Sequence, residues 1–245
     1  MKRSMLASLL TLVGFNTFAA EGTQFDWSYA AQTAPAQWGK IKPEYQACEG
    51  VNQAPINIDQ TISATLPALK LNYSSKADTI INNNRTVQIN FAEGSTLELE
   101  QKVFYLKQFH LHSPSENTIK GKSFAMEMHL VHATEQGELA VVAVMFEEGQ
   151  ENKKLKKLWK ELPKKAGNTI QLQHQDLAAA FLPENLDYYR FNGSLTTPPC
   201  SEGVRWIVFK DIQQASKQQI RAFSSLMEHP NNRPVQPTNA RLVLE

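Results

Sequence analysis

The sequence predicts a mainly-β or α+β fold on two observations. Many short stretches alternate apolar and polar residues with a period of two, and only two segments carry helical periodicity. TVQINF from Thr86, STLELE from Ser95 and VFYLKQFHLH from Val103 each read as half-buried strands. In the strand that follows, Glu127, His129 and Val131 share one face, while Met128, Leu130 and His132 share the other. LAVVAVMFEEG from Leu139 is continuously apolar and reads as a central strand buried on both faces. VRWIVFK from Val204 is a further strand. Asn82-Asn83-Asn84 and Glu93-Gly94 mark turns.

The first helix is KKLKKLWKEL, in which Leu155, Leu158, Trp159 and Leu162 form a stripe and Pro163 ends the run. Its remaining surface is lysine. A membrane-surface helix is the alternative reading, but a stripe of this kind ordinarily faces a core, here through Trp159. The second helix, near Ser216 to Met227, turns Ile220, Phe223 and Leu226 inward. No internal repeat or low-complexity tract is visible.

The chain opens MKRSMLASLLTLVGFNTFAAEG. A basic start at Lys2 and Arg3, an apolar stretch from Met5 to about Phe15 and small residues at Ala19 and Ala20 form a secretory signal pattern over residues 1–20. The stretch is short for a membrane anchor, which is the alternative. No cysteine lies nearby to carry a lipid, and no later segment approaches membrane-spanning length. The expected mature chain, residues 21–245, suits a single domain in the periplasm or outside the cell. The formal charge of the whole chain is +1, and removal of Lys2 and Arg3 with the leader brings it to −1. Nothing in that balance draws the protein to nucleic acid, or to a membrane after signal cleavage. In an exported chain the two cysteines, Cys48 and Cys200, read as a disulfide.

The most informative residues are histidines. His110 and His112, one residue apart on a strand, point to the same face. A third imidazole from a nearby strand would complete three ligands and leave a fourth tetrahedral position open, the layout of a catalytic zinc site. His129 and His132 compete for that place, and on a strand only one can face the pair. Metal-bound imidazoles donate their other N–H to a fixed acceptor. Glu127 stands two residues before His129 and Gln108 two before His110, each on its histidine's face. His132 has no such neighbour and reads as structural or surface.

QFHLHSPSEN, MEMHLVHA and GSLTTPPCSEGVRW together resemble the α-class carbonic anhydrases, as do WSYA, NQAPINI and NNRPVQP. The resemblance runs from Trp27 to Pro237. It implies a single domain around a large, twisted, mostly antiparallel central sheet with peripheral helices. It implies that His110, His112 and His129 bind Zn2+, with hydroxide in the fourth position. It gives Thr196 the role of accepting a hydrogen bond from that hydroxide while its own hydroxyl donates a hydrogen bond to Glu116, a carboxylate being an acceptor only. The implied substrates are CO2, bicarbonate and water. The apolar wall for CO2 would be Val131, Val141, Leu195, Val204 and Trp206, with Thr197 on the more polar side and Tyr29, Arg85 and Gln88 along a polar wall.

The chain departs from the family at Arg85, where many fast members carry a proton-relaying histidine. Arginine stays protonated and cannot relay at neutral pH. Tyr29 has too high a usual pKa to serve instead. Diffusion-limited recombination at about 10¹⁰ M⁻¹s⁻¹, with a water pKa near 7, limits unaided proton release to about 10³ s⁻¹. The expectation is therefore an enzyme limited by proton transfer in dilute buffer. Phe191 replaces a frequent tyrosine and removes one hydroxyl contact. Two other functions compete: a zinc esterase, and a carbonic-anhydrase-like binding protein that has lost catalysis. The presence of all three ligand histidines, Thr196 and Glu116 disfavours the last. A homodimer is compatible with the sequence, which does not set the oligomeric state.

Overall fold

The computed structural model describes residues 25–174 and 177–245. The leader expected over residues 1–20 lies outside the described residues. Eight strands run side by side: β1 (Ala77–Asn82), β2 (Val87–Phe91), β3 (Lys102–His112), β4 (Met126–Ala133), β5 (Leu139–Glu148), β6 (Thr169–His174), β7 (Tyr188–Ser194) and β8 (Glu202–Phe209). Their order is β6-β1-β2-β3-β4-β5-β8-β7, and with Lys70–Asn72, Thr96–Leu99 and Gln213–Ala215 they form an 11-stranded sheet among the described residues. The pairings are antiparallel except where β5 meets β8 and Gln213–Ala215.

The period-two pattern divides this sheet into two faces. Ile89, Phe109, Leu111, Met128, Leu130, Val142, Val144 and Ile207 enter the larger core, where Leu155, Leu158 and Phe223 pack from the helices. His132 also lies on this side; it is fully buried, not at the surface, and shares a 2.7 Å hydrogen bond with Tyr73. The opposite face carries His110, His112 and His129 beside an apolar cluster that includes Val141, Ala143, Val204, Trp206 and Val208. Strand β5 serves both cores, which explains its unbroken apolar run.

Helix α1 (Lys153–Leu158) is capped by the Asn152 side chain and passes into a tight turn, Trp159–Glu161. It is shorter than its apolar stripe because Leu162 is already extended. Helix α2 (Lys217–Ser224) begins with a Ser216–Gln219 capping box and ends before Met227, where the backbone tightens. Trp159 is half-buried, donates to the Gln219 carbonyl at 2.8 Å and lies against Phe223. The lysine-rich helix is thus a core-facing surface helix. No helix among the described residues is long and apolar enough to cross a membrane.

Candidate metal centre

Strand register assembles the histidines. His110 is directly opposite His129, and Gln88 is opposite His110 on the other side. His112 follows one pleat along β3. One ligand nitrogen from each of the three histidines falls within 4.8 Å of the others. The neighbouring row runs Gln108, Val131, Val141, Trp206, Phe191 across five strands. Val131, Val141, Val204, Trp206 and Leu195 therefore meet in one apolar cluster beside the imidazoles. Trp206 touches the His129 ring edge-on at 4.9 Å, stacks on Phe191 and donates its Nε1 to the Ser194 carbonyl at 3.0 Å.

Each imidazole has one nitrogen tied down. His110 Nδ1 meets Gln108 Oε1 at 2.8 Å, and His129 Nε2 meets Glu127 Oε1 at 2.8 Å. His112 Nδ1 meets the backbone carbonyl of Asn231 at 2.6 Å. The remaining nitrogens are His110 Nε2, His112 Nε2 and His129 Nδ1. His112 Nε2 is buried without a hydrogen-bond partner. An orphaned buried acceptor costs about 1–3 kcal/mol, and a cation held by this nitrogen together with those of His110 and His129 would remove that cost. Burial holds the His110 and His112 pKa values well below the usual imidazole range, with the neighbouring His129 charge adding to the effect. The donor set, three neutral-capable imidazoles with oriented second nitrogens, suits a metal ion with one open position.

Glu127 is fully satisfied. Its Oε2 accepts from the Glu116 and Asn117 amides at 2.7 and 2.8 Å, and its Oε1 accepts from Asn117 Nδ2 at 2.7 Å as well as from His129. Glu116 is fully buried too. Its Oε1 accepts from the Arg233 amide at 2.8 Å. Its Oε2 has no hydrogen-bond partner and lies 3.5 Å from His112 Nε2 and 3.9 Å from His129 Nδ1. Burial pushes the Glu116 pKa up to about 7 against the opposing pull of His129, the Arg233 amide and the nearby Thr196 hydroxyl.

Thr196 and Thr197 sit on the loop after β7. Cys200 N donates to the Thr197 carbonyl at 2.9 Å, and the Cys48–Cys200 disulfide anchors this loop to the N-terminal segment. Gln53 ties it further: its Nε2 donates to the Cys200 carbonyl at 3.2 Å, while its Oε1 accepts from Arg233 at 2.8 Å. The other expected polar residues have neighbours outside the histidine cluster. Gln88 donates to Asn90 Oδ1 at 2.6 Å. Arg85 is half-buried, and its guanidinium is committed to the Trp27 and Asn84 carbonyls above the Phe25 and Trp27 rings. Tyr29 packs edge-on against Trp27 and Trp38.

Sequence reasoning missed Asn231, Arg233 and Gln53. Asn231 Nδ2 donates to the Arg85 and Leu111 carbonyls at 2.9 Å, and its Oδ1 accepts from the Ser113 amide at 2.8 Å. These bonds hold the carbonyl that orients His112. The motif NNRPVQP contains Asn231 and Arg233, but nothing in its composition points to histidine.

Residues 33–245 match the family model described as eukaryotic-type carbonic anhydrase. The chain is 46% identical to a carbonic anhydrase of Klebsiella pneumoniae, over 100% of this chain and 98% of that one. It is 44% identical to a carbonic anhydrase of Pectobacterium carotovorum over the whole of both chains. Among solved structures, the α-carbonic anhydrase of Photobacterium profundum superimposes with a TM-score of 0.85 at 48% identity, over 90% of this chain and 100% of that one.

Proposed function

The chain belongs to the carbonic anhydrase family, and on that premise we propose that it interconverts CO2 and water with bicarbonate and a proton at a zinc ion held by His110, His112 and His129. The observation that carries the reading is the convergence of three imidazole nitrogens whose partner nitrogens are already engaged. Zinc, when bound, lowers the pKa of water to about 7 and so supplies a nucleophile at neutral pH.

The protein's own residues do the remaining work. Gln108, the Asn231 carbonyl and Glu127 fix the tautomers and ring planes of the three histidines. Glu116 accepts a hydrogen bond from the Thr196 hydroxyl, which leaves the Thr196 oxygen as acceptor toward the attacking water and aims that water's lone pair at substrate. Val131, Val141, Leu195, Val204 and Trp206 offer an apolar wall to CO2, and Thr197 lies on the polar side. Arg85 stays protonated at neutral pH and is fixed on backbone carbonyls. Residues 1–20 direct export, so the enzyme works in the periplasm or outside the cell, where the Cys48–Cys200 disulfide persists.

Stopped-flow CO2 hydration in saturating imidazole buffer tests the reading. Zinc-loaded wild type hydrates CO2, and His129→Ala loses at least about a hundredfold, since removal of a ligand abolishes the chemistry that metal coordination supplies. Equal rates for the two proteins would refute it.

A further inference from the structure

The lysine-rich segment around α1 takes no part in the metal centre. Residues 151–165 contain seven lysines against two carboxylates, Glu151 and Glu161. All seven lysines are exposed, while Leu155 and Leu158 between them are buried. The helical repeat accounts for this: Lys153 and Lys157 leave α1 opposite Leu155, and Lys160 is exposed beyond them in the following turn. Among the described residues, the ion pair these lysines make is Lys156 with Glu151, at 2.9 Å. The segment carries +5 and residues 21–245 together carry −1, so the rest of those residues carries −6. A nearly neutral total thus conceals a strong segregation of charge.

Helix α2 extends the basic face. Its Lys217 and Arg221 are exposed, and it contains no carboxylate. Glu148, at the end of β5 beside Ala215, borders the face on one side. The two helices are locked together. The Asn152 amide donates to Gln219 Oε1 at 2.9 Å, Gln219 Nε2 donates to the Asn152 carbonyl at 2.7 Å, and Trp159 donates to the Gln219 carbonyl. The cations therefore project from a fixed platform.

The apolar stripe of α1 is used up by the core, so this helix has no apolar face to insert into a bilayer. Attraction to a partner has to come from charge alone. Lysines are compact charges on flexible stems, suited to a diffuse anionic surface, whereas planar bidentate recognition calls for arginine. A layer of anionic headgroups is such a surface, and each lysine held near one is worth about fivefold in partition. We propose that the face formed by α1 and α2 docks this protein reversibly on a bilayer rich in anionic phospholipid. The proposal does not depend on the metal chemistry, and it takes from the export reading only that membrane surfaces lie within reach. Both helices cover the larger core, across the sheet from His110, His112 and His129, so docking leaves the metal centre on the side away from lipid.

Co-sedimentation of the chain from residue 21 onward with vesicles tests the docking. One set of vesicles mixes phosphatidylglycerol with phosphatidylcholine, and the other is phosphatidylcholine alone. At about 10 mM salt, where the screening length is about 30 Å, wild type partitions onto the anionic vesicles and not onto the neutral ones. At about 1 M salt, where that length is about 3 Å, it is released. Lys153→Gln/Lys157→Gln/Lys160→Gln weakens the partition about a hundredfold, and glutamine at these exposed positions preserves the helix. Lys40→Gln/Lys76→Gln/Lys120→Gln removes the same charge from lysines exposed elsewhere, and weakens it less than about fivefold. Equal binding to neutral vesicles, equal losses in the two triple variants, or no partition onto anionic vesicles would overturn the proposal. In the last case, salt-sensitive self-association of wild type that the first triple variant abolishes would assign the face to a second copy of the chain instead.

Discussion

His112 and Asn231 are 119 residues apart in the chain and joined by the shortest of the three bonds that orient the candidate ligands, Nδ1 to carbonyl oxygen at 2.6 Å. The acceptor is backbone, so its position depends on what holds the backbone. That is the Asn231 side chain, bonded to the Arg85 and Leu111 carbonyls and the Ser113 amide. Asn231→Ala is expected to weaken zinc binding about 10- to 100-fold, the usual effect of removing support behind a ligand. Competition with a chelator measures it. An unchanged affinity would show that the carbonyl is held without the side chain.

This bond also shows where sequence reading stops. Gln108 and Glu127 were legible because each lies two residues from its histidine on the same strand, and the period of two places both on one face. Asn231 was not, because any residue can offer a carbonyl and nothing in a sequence specifies which one a distant loop presents. The same limit hid the Arg233 amide behind Glu116. Strands β3, β4 and β5 were readable from alternation or unbroken apolarity. The helices came out shorter than their stripes because Leu162 and Leu226 pack on the core from turns, which preserve inward spacing without continuing the helix.

The disulfide links Cys48 to the loop bearing Thr196 and Thr197. It closes 152 residues of sequence, for which the chain-entropy model gives roughly 5 kcal/mol and measured losses usually fall at about 2–5 kcal/mol. Cys48→Ser/Cys200→Ser is expected to lower stability within that range, as read by urea unfolding. During graded reduction of the native protein, activity should fall before unfolding does. Full activity in reduced, folded protein would confine the disulfide to stability.

Arg85→His places an imidazole where the family resemblance expects a proton-relaying residue, on a cavity also lined by Tyr29 and Asn231. It is expected to raise dilute-buffer kcat about tenfold or more, with kcat/KM little changed. Some stability is lost as well, because the bonds to the Trp27 and Asn84 carbonyls go with the guanidinium. Stopped-flow kinetics at fixed CO2 across a buffer series decides this. No gain would refute proton release as the step that limits turnover in dilute buffer.

His132 predicts an acid limb in stability. Burial pushes its pKa down to about 4, below the unfolded value near 6.5. Above pH 6.5 both states are neutral and the residue has no effect. As the pH falls from 6.5 toward 4, the unfolded chain takes up a proton that the folded protein refuses, and stability drops by up to about 3 kcal/mol. His132→Gln should flatten this limb by a similar amount relative to wild type. Denaturant unfolding between pH 7 and 4 measures it, and parallel curves for the two proteins would refute the assignment.

The central claim is that three pre-oriented imidazoles hold the one metal ion on which hydration depends. The direct measurement is CO2 hydration by metal-free protein titrated with zinc. Activity should be negligible at the start, rise linearly and break at one equivalent per chain. High activity before any zinc is added, or no rise through the first equivalent, would contradict it.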